Sequence, residues 1–307
     1  QPMPLHQGPL LRFTLAQETA QRHHLILTNH HIIMDGWSTP LFLHDLLALY
    51  HADGDDAALP AIPAWRDYLR WLDARDERMA VQAWQGAFDG LEQPALLAGG
   101  TIASAPARLH VDHLSKTLSH ELQALSRDLG VTLNTLIQTA WAMVLRTELG
   151  RDDLVLGSTT SGRSADLPGI EHMVGLFINT IPLRLTLRPA ETLAETLRRI
   201  QREHAPLMDH DHLGLAQIQK AVGQGSLFDT LVVFENYPMG DAPQAGLEAR
   251  FHDNRGGDTS HYPVSIGVTP GECFEIKFST RPDVIAQDRA DRLRRRFITA
   301  LELDRKS

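Results

Sequence analysis

The order of periodicities along the later two thirds of the chain constrains the fold most. Leu133, Leu136, Ile137, Ala140, Val144 and Leu145 share one face of a strongly apolar helix that stops at Gly150, because residues spaced three and four apart stack on the same side of a helix. Before it stand a strand over 109–118 and a helix from Ser119 to near Gly130. After it strand and helix signals alternate. Leu154-Val155-Leu156 is followed by a Gly/Ser/Pro-containing loop at 157–170, a long strand over 174–187 and a helix over 191–208. Strands near 229–236, 247–253, 262–268 and 273–279 lead to a closing helix over 286–302. This alternation predicts a mixed α/β (α+β) fold. No repeat at a solenoid period accompanies it.

The upstream part reads differently. Leu11, Phe13 and Leu15 alternate with Arg12 and Thr14, the period of a half-buried strand, and Leu25-Ile26-Leu27 follows a polar turn as its neighbour. Leu43, Leu46, Leu47 and Tyr50 then fall on one helical face, with Ser38 and Thr39 as caps before Pro40. Residues 52–63 form a linker. Trp65, Tyr68, Leu69 and Leu72 mark an aromatic-rich helix, and Trp84 and Phe88 another. Between 90 and 108, Gly90, Pro94, Gly99, Gly100 and Pro106 interrupt every pattern, which places a domain boundary there and divides the chain into 1–105 and 106–307.

Composition narrows the function classes. The chain has 307 residues, 43% apolar and 22% charged, enough for two folded domains and too apolar for disorder. Lys and Arg number 29 against 38 Asp and Glu, for a net charge of −9. The one basic cluster (Arg292, Arg294, Arg295, Arg296) is short and helical in pattern, so neither nucleic acid nor an anionic membrane is an expected partner. Cys273 stands alone. It excludes an internal disulfide and a multi-cysteine zinc site and fits a reducing compartment, with the cytoplasm the expected location. No apolar run approaches the length of a bilayer span, and the start lacks a signal-peptide pattern. Gln1 leads almost directly into a strand, as a fragment would.

The chemistry concentrates between the second strand and the next helix, in Asn29-His30-His31-Ile32-Ile33-Met34-Asp35-Gly36-Trp37-Ser38. Adjacent histidines at a strand end suit a surface or a satisfied core. His31 and Asp35 would share a face if helical, and imidazole with carboxylate is sound zinc chemistry. Against a metal stand β-branched Ile32 and Ile33, the break at Gly36 and the lack of a third ligand at a recognisable spacing. The remaining chemistry is acid/base work: an imidazole takes or steers a proton, a carboxylate organises the site, and a glycine admits substrate or offers a backbone N–H near developing charge.

These residues resemble the HHxxxDG signature of nonribosomal peptide synthetase condensation domains, relatives of chloramphenicol acetyltransferase and carnitine-type acyltransferases. Further blocks match in order: Ala64 to Leu72 (AWRDYLRWL), Val174 to Arg184 (VGLFINTIPLR), Leu227 to Pro238 (LFDTLVVFENYP) and Tyr262-Pro263. The resemblance implies two chloramphenicol acetyltransferase-like lobes in a V shape, the first lobe incomplete here because the family's opening helix and first block have no counterpart. A sheet cut at that point would expose an edge and an apolar face. The implied reaction is amide formation: the α-amine of a carrier-bound acceptor aminoacyl thioester attacks a carrier-bound donor acyl or peptidyl thioester. No cofactor is bound directly, the substrates being tethered to phosphopantetheine. The implied partners are the upstream donor and downstream acceptor peptidyl carrier proteins and an adjacent adenylation domain, in antibiotic or siderophore biosynthesis.

The same resemblance distributes roles. His31, Asp35 and Gly36 form the catalytic set, with His31 positioning the amine and accepting its proton. Asp35 points away from substrate and pairs with an arginine, for which Arg184 is a candidate. Gly36 gives close approach and a backbone N–H, and His30 is structural. Asn236 and Ser260, polar residues beside strand ends, are substrate-binding candidates. Trp65, Tyr68 and Trp71 read most simply as packing residues, and Ser161-Gly162-Arg163 as a surface loop, which in the family corresponds to a bridge under the tunnel. An epimerization-type domain and a non-catalytic platform recruiting carriers or other partners are the alternatives. Ser38 followed by Thr39, and Leu176 to Thr180 (LFINT), fit condensation.

Overall fold

The computed structural model describes residues 3–57, 59–163, 166–236 and 260–303. Backbone contacts divide them into two units. The first takes the residues up to Ala74 together with Ser161–Ile178. The second takes Arg75–Thr160, Asn179–Asn236 and the described residues from 260 onward. The division after Ala74 lies upstream of the boundary expected at 105, because the helix carrying Trp84 packs into the second unit's core. The glycines and prolines of 90–108 mark a crossing segment inside that unit.

In the first unit, β1 (Leu11–Gln17) and β2 (His23–Asn29) pair antiparallel, from Leu11 opposite Asn29 to Gln17 opposite His23. Leu15 and Leu25 remain 68% and 52% exposed, and Phe13 meets Phe42 of the next helix at 6.2 Å. That helix, α1 (Ser38–His51), starts ahead of Pro40, so that Ser38 and Thr39 lie inside it and do not cap it. The Asp35 carboxylate accepts the Ser38 N–H instead, at 2.8 Å. Helix α2 (Trp65–Asp73) lays Trp65 and Tyr68 against Phe177, with ring centroids 4.8 and 4.7 Å apart. These aromatics are packing residues, closing a small core of Ile170, Met173 and Phe177.

The second unit begins with α3 (Glu77–Ala87), capped by the Asp76 side chain. A six-stranded mixed sheet follows. β3 (Arg108–His113), β4 (Asp153–Thr160), β5 (Asn179–Thr186), β6 (Thr230–Phe234), β7 (Val264–Thr269) and β8 (Glu275–Thr280) lie in the order β3-β8-β7-β6-β4-β5. The β6 strand is parallel to both its neighbours and the other pairings are antiparallel. α4 (Lys116–Leu129) starts three residues before Ser119, because Ser115 caps it, and ends at Gly130 in the left-handed conformation.

The apolar helix is α5 (Leu133–Leu149), buried through its middle turns. Its Trp141 sits edge-on to Phe278 and to Phe297 of the closing helix, and donates Nε1–H to Thr230 Oγ1 at 3.0 Å. Burial of each such side chain contributes about 1.5–3 kcal/mol. α6 (Leu193–His204), α7 (Leu215–Val222) and α8 (Gln287–Leu303) complete the helices. Among the described residues no helix is long and apolar enough to cross a membrane. The strand expected at 247–253 lies outside the described residues.

Three strand ends differ from expectation. β3 stops at His113 instead of running on to 118. β4 runs on to Thr160, through residues read as loop, because residues 157–160 pair with β5, and Gly157 leaves room for the Phe228 ring. β5 begins only at Asn179, and the preceding residues 174–178 belong to the first unit.

Candidate functional site

The HHxxxDG residues form a tight turn in the first unit between β2 and α1. His30 ends the extended segment: its N–H donates to the Leu10 carbonyl at 2.9 Å, and its Nδ1 accepts the Ile32 N–H at 3.1 Å. That ring nitrogen therefore works as a cap and carries no proton. His31 opens a single 3-10 turn, His31–Ile33, closed by the Met34 N–H on the His31 carbonyl. The His31 residue is exposed, whereas Met34 and Asp35 beyond it are buried. Gly36 follows in a turn, partly exposed.

Asp35 is 1% exposed and saturated with donors. Its Oδ1 accepts from the Ser38 N–H at 2.8 Å, the Ser38 hydroxyl at 2.7 Å and Arg163 Nη2 at 3.2 Å. Its Oδ2 accepts from Arg163 Nη1 at 2.7 Å and the Phe177 N–H at 3.0 Å. Burial alone would raise this carboxyl's pKa, but the hydrogen bonds from Arg163, Phe177 and Ser38 and the Arg163 charge outweigh it and hold the group below the usual range. With both oxygens so occupied, Asp35 has no lone pair to offer an ion, and the metal pairing of His31 with Asp35 finds no geometric support.

The partner of Asp35 is Arg163, not Arg184. The Arg163 side chain is 2% exposed and also donates to the Met173 carbonyl at 3.1 Å and to the Ser38 hydroxyl at 2.9 Å. Its guanidinium lies over the Phe177 ring, 4.2 Å from the centroid. Within Ser161-Gly162-Arg163, read as a surface loop, Ser161 is indeed exposed but Arg163 turns inward and is buried. Gly162 is required there: its φ is +63°, and a Cβ would come within 2.0 Å of the Phe177 carbonyl oxygen. Gly175 faces a similar limit, with the Trp65 ring 2.1 Å from where its Cβ would stand.

Arg184 serves the second unit. It forms a fork to Asp153 at 2.9 and 2.8 Å and donates to the carbonyls of Ala87 and Asp89. Asp153 lies in the facing strand, which is why a polar residue interrupts that apolar run. Asn179 is likewise satisfied, by the carbonyls of Asp211 and Leu213.

The two substrate-binding candidates are not brought together. β6 and β7 are parallel, with Thr230 opposite Val264. Asn236 follows the C-terminal end of β6, whereas Ser260 precedes the N-terminal end of β7, so a strand length of about 15 Å separates their ends of the sheet. Asn236 is exposed and lines a cleft of about 680 Å3 in the second unit with Ser158, Thr160, His204 and Phe234. Ser260 is committed locally: its hydroxyl accepts the Tyr262 N–H and its carbonyl accepts from Arg281.

Sequence reasoning missed Arg163 and the part played by Ser38. A buried carboxylate demands a cation, but nothing local singles out which arginine, and the pair lies 128 positions apart.

Comparison with known proteins bears on the family of the chain. A family model described as condensation domain matches residues 1–303. The chain is 38% identical over 286 residues to chondramide synthase cmdD of Chondromyces crocatus, covering 90% of this chain and 7% of that protein. It is 37% identical over 279 residues to vanchrobactin synthetase VabF of Vibrio anguillarum, covering 90% of this chain and 10% of the other. Among solved structures it resembles the X-domain from teicoplanin biosynthesis, with a TM-score of 0.82 and 22% identity over 100% of this chain and 74% of that one. The first condensation domain of the calcium-dependent antibiotic synthetase gives 0.75 and 22%, over 98% of this chain and 68% of that one.

Proposed function

With the chain a member of the condensation-domain family, we propose that it forms amide bonds between carrier-tethered substrates. The acceptor's α-amine attacks the donor thioester carbonyl. The tetrahedral adduct collapses with cleavage of the C–S bond, the nitrogen gives up a proton, and the carrier's phosphopantetheine thiolate takes one. The partners are a donor and an acceptor peptidyl carrier protein and an adjacent adenylation domain, and the work takes place in the cytoplasm. Asn236 contacts substrate from the cleft; Ser260, at the other end of the sheet, contributes through its turn.

The observation that supports this reading is the Asp35–Arg163 lock. A sealed ion pair with every carboxylate lone pair engaged holds a short turn whose first residue, His31, stays exposed. Imidazole is the side chain that takes and returns a proton near neutral pH, and a fixed turn supplies the orientation on which attack depends. His31 aligns the amine and accepts its proton. Asp35 moves no proton, since Arg163 holds it ionised. Gly36 brings a backbone N–H toward the developing oxyanion.

The test is product formation by the full-length synthetase with loaded donor and acceptor carriers. His31→Ala is expected to lower the rate by roughly 100-fold to 10,000-fold, the range of a positioned acid or base. An unchanged rate would remove His31 from the reaction. Tight carrier binding with no turnover on any donor and acceptor pair would favour a recruiting platform.

A further inference from the structure

Ser38 is fully buried, and its hydroxyl oxygen lies within hydrogen-bond distance of four polar atoms. These are Asp35 Oδ1 at 2.7 Å, the Gly175 carbonyl at 2.8 Å, the Gly175 N–H at 2.9 Å and Arg163 Nη2 at 2.9 Å. A hydroxyl has one proton and two lone pairs. The Gly175 amide and the guanidinium can only donate, so they occupy both lone pairs. The proton has two acceptors to choose from. The Gly175 carbonyl already accepts the Asp35 N–H at 3.1 Å, and the carboxylate, being charged, is the stronger acceptor. The hydroxyl proton therefore goes to Asp35.

Together Asp35 and Ser38 satisfy three backbone groups of residues 175–177: the Gly175 N–H, the Gly175 carbonyl and the Phe177 N–H. No strand supplies them. One end of the His31 turn is held by the His30 cap and the Leu10 carbonyl. The other end is held through this oxygen. We propose that Ser38 is a positioning residue for His31: its hydroxyl, rather than capping α1, pins the C-terminal side of the His31–Asp35 turn to the Gly175 backbone. The proposal rests on the amide-forming reading above.

Ser38→Ala would leave the Gly175 N–H unpaired in a site closed to water, whereas the two protons on Arg163 Nη2 keep the Asp35 carboxylate and the Met173 carbonyl. The turn would shift to pair that amide again, carrying His31 with it, and a displacement near 1 Å can lower a rate by about 100-fold.

The experiment uses full-length synthetase with a loaded donor carrier and an aminoacyl N-acetylcysteamine thioester as titratable acceptor, rates being expressed per folded molecule by circular dichroism. Ser38→Ala is expected to lower kcat about tenfold or more with the acceptor KM within twofold. A kcat within twofold of wild type, or a loss carried by KM, overturns the proposal. If Ser38→Ala does not fold, Ser38→Cys, similar in volume but a weak donor and acceptor, is read by the same two criteria. His31→Ala is measured alongside. Full activity of that variant would refute the reaction assigned to the site, whereas an inactive His31→Ala with an unaffected Ser38→Ala refutes only the role given to Ser38.

Discussion

Replacing Arg163 by methionine tests the ionic core of the first unit. Methionine fills much of the same volume and keeps contact with Phe177, so the change is chiefly electrical. The Asp35 side chain is 0% exposed and that of Arg163 2%. After the substitution Asp35 retains three donors, the Ser38 N–H, the Ser38 hydroxyl and the Phe177 N–H, but no cation. Breaking a buried pair from one side costs about 3–5 kcal/mol. At about 1.4 kcal/mol per factor of ten, amide exchange at Phe177 and Gly175 should accelerate by roughly two to three and a half orders of magnitude. Native-state hydrogen exchange over residues 174–178 measures this directly.

The pH dependence should also change sign. In the native protein the Asp35 carboxyl is held below its ordinary 3.8, so its stabilisation is complete above that value and fades as pH falls through the lower folded value. Without Arg163, burial dominates and lifts the folded pKa above the unfolded one. The variant should then gain protection on acidification. Asp35→Asn combined with Arg163→Met removes both charges and should recover part of the loss. Less than a fivefold change in exchange, together with a double variant no better protected than the single one, would refute the reasoning.

Two further outcomes are expected. Gly162→Ala forces a left-handed backbone, at roughly 1–2 kcal/mol, and a contact with the Phe177 carbonyl, so it should loosen residues 174–178 in the same exchange measurement while the Trp141 neighbourhood keeps its protection. Hydrogen bonds from Arg199, together with its charge, hold the Glu191 carboxyl at about 2 against a usual 4.5, so its stabilisation is complete above 4.5 and lost as pH falls toward 2. Glu191→Gln should flatten acid unfolding of the second unit within that window, as followed by thermal melts; an unaltered slope would show the ion pair to be idle.

Much of the fold could be read locally. α5 carries its own period and its terminal Gly150, and both stand where the pattern puts them, with Thr132 as the cap the structure adds. The β1–β2 ribbon and the mixed α/β class follow from the same kind of signal. What escaped was set by distant partners. The short α7 has Ile218 as its one fully buried anchor, too little to register as a period. β4 extends through Gly157-Ser158-Thr159-Thr160 because β5 lies opposite, though no local apolar run announces a strand there. In the candidate site, the HHxxxDG residues were legible as a motif and Asp35 as an arginine's partner. Arg184 was the natural candidate, being polar within an apolar strand, yet Asp153 answers that need. Arg163 sits among Ser and Gly, where composition signals a surface loop, and only the fold turns it inward.

The route of the chain through Ser161–Ile178 bears on how relatives of this protein can recombine. Thr160 and Asn179 form the last rung of the antiparallel β4–β5 pair, yet everything between them belongs to the first unit. The ionic core of that unit is thus assembled from two stretches of sequence that a single crossover between them separates. A chimera exchanging residues 1–105 would inherit Asp35 from one parent and Arg163 from the other. Gly175 and the Trp65 ring that rests on it would be split in the same way. Such a swap preserves the ion pair only where both parents place the arginine alike, so a crossover that respects this module moves two segments together, or none.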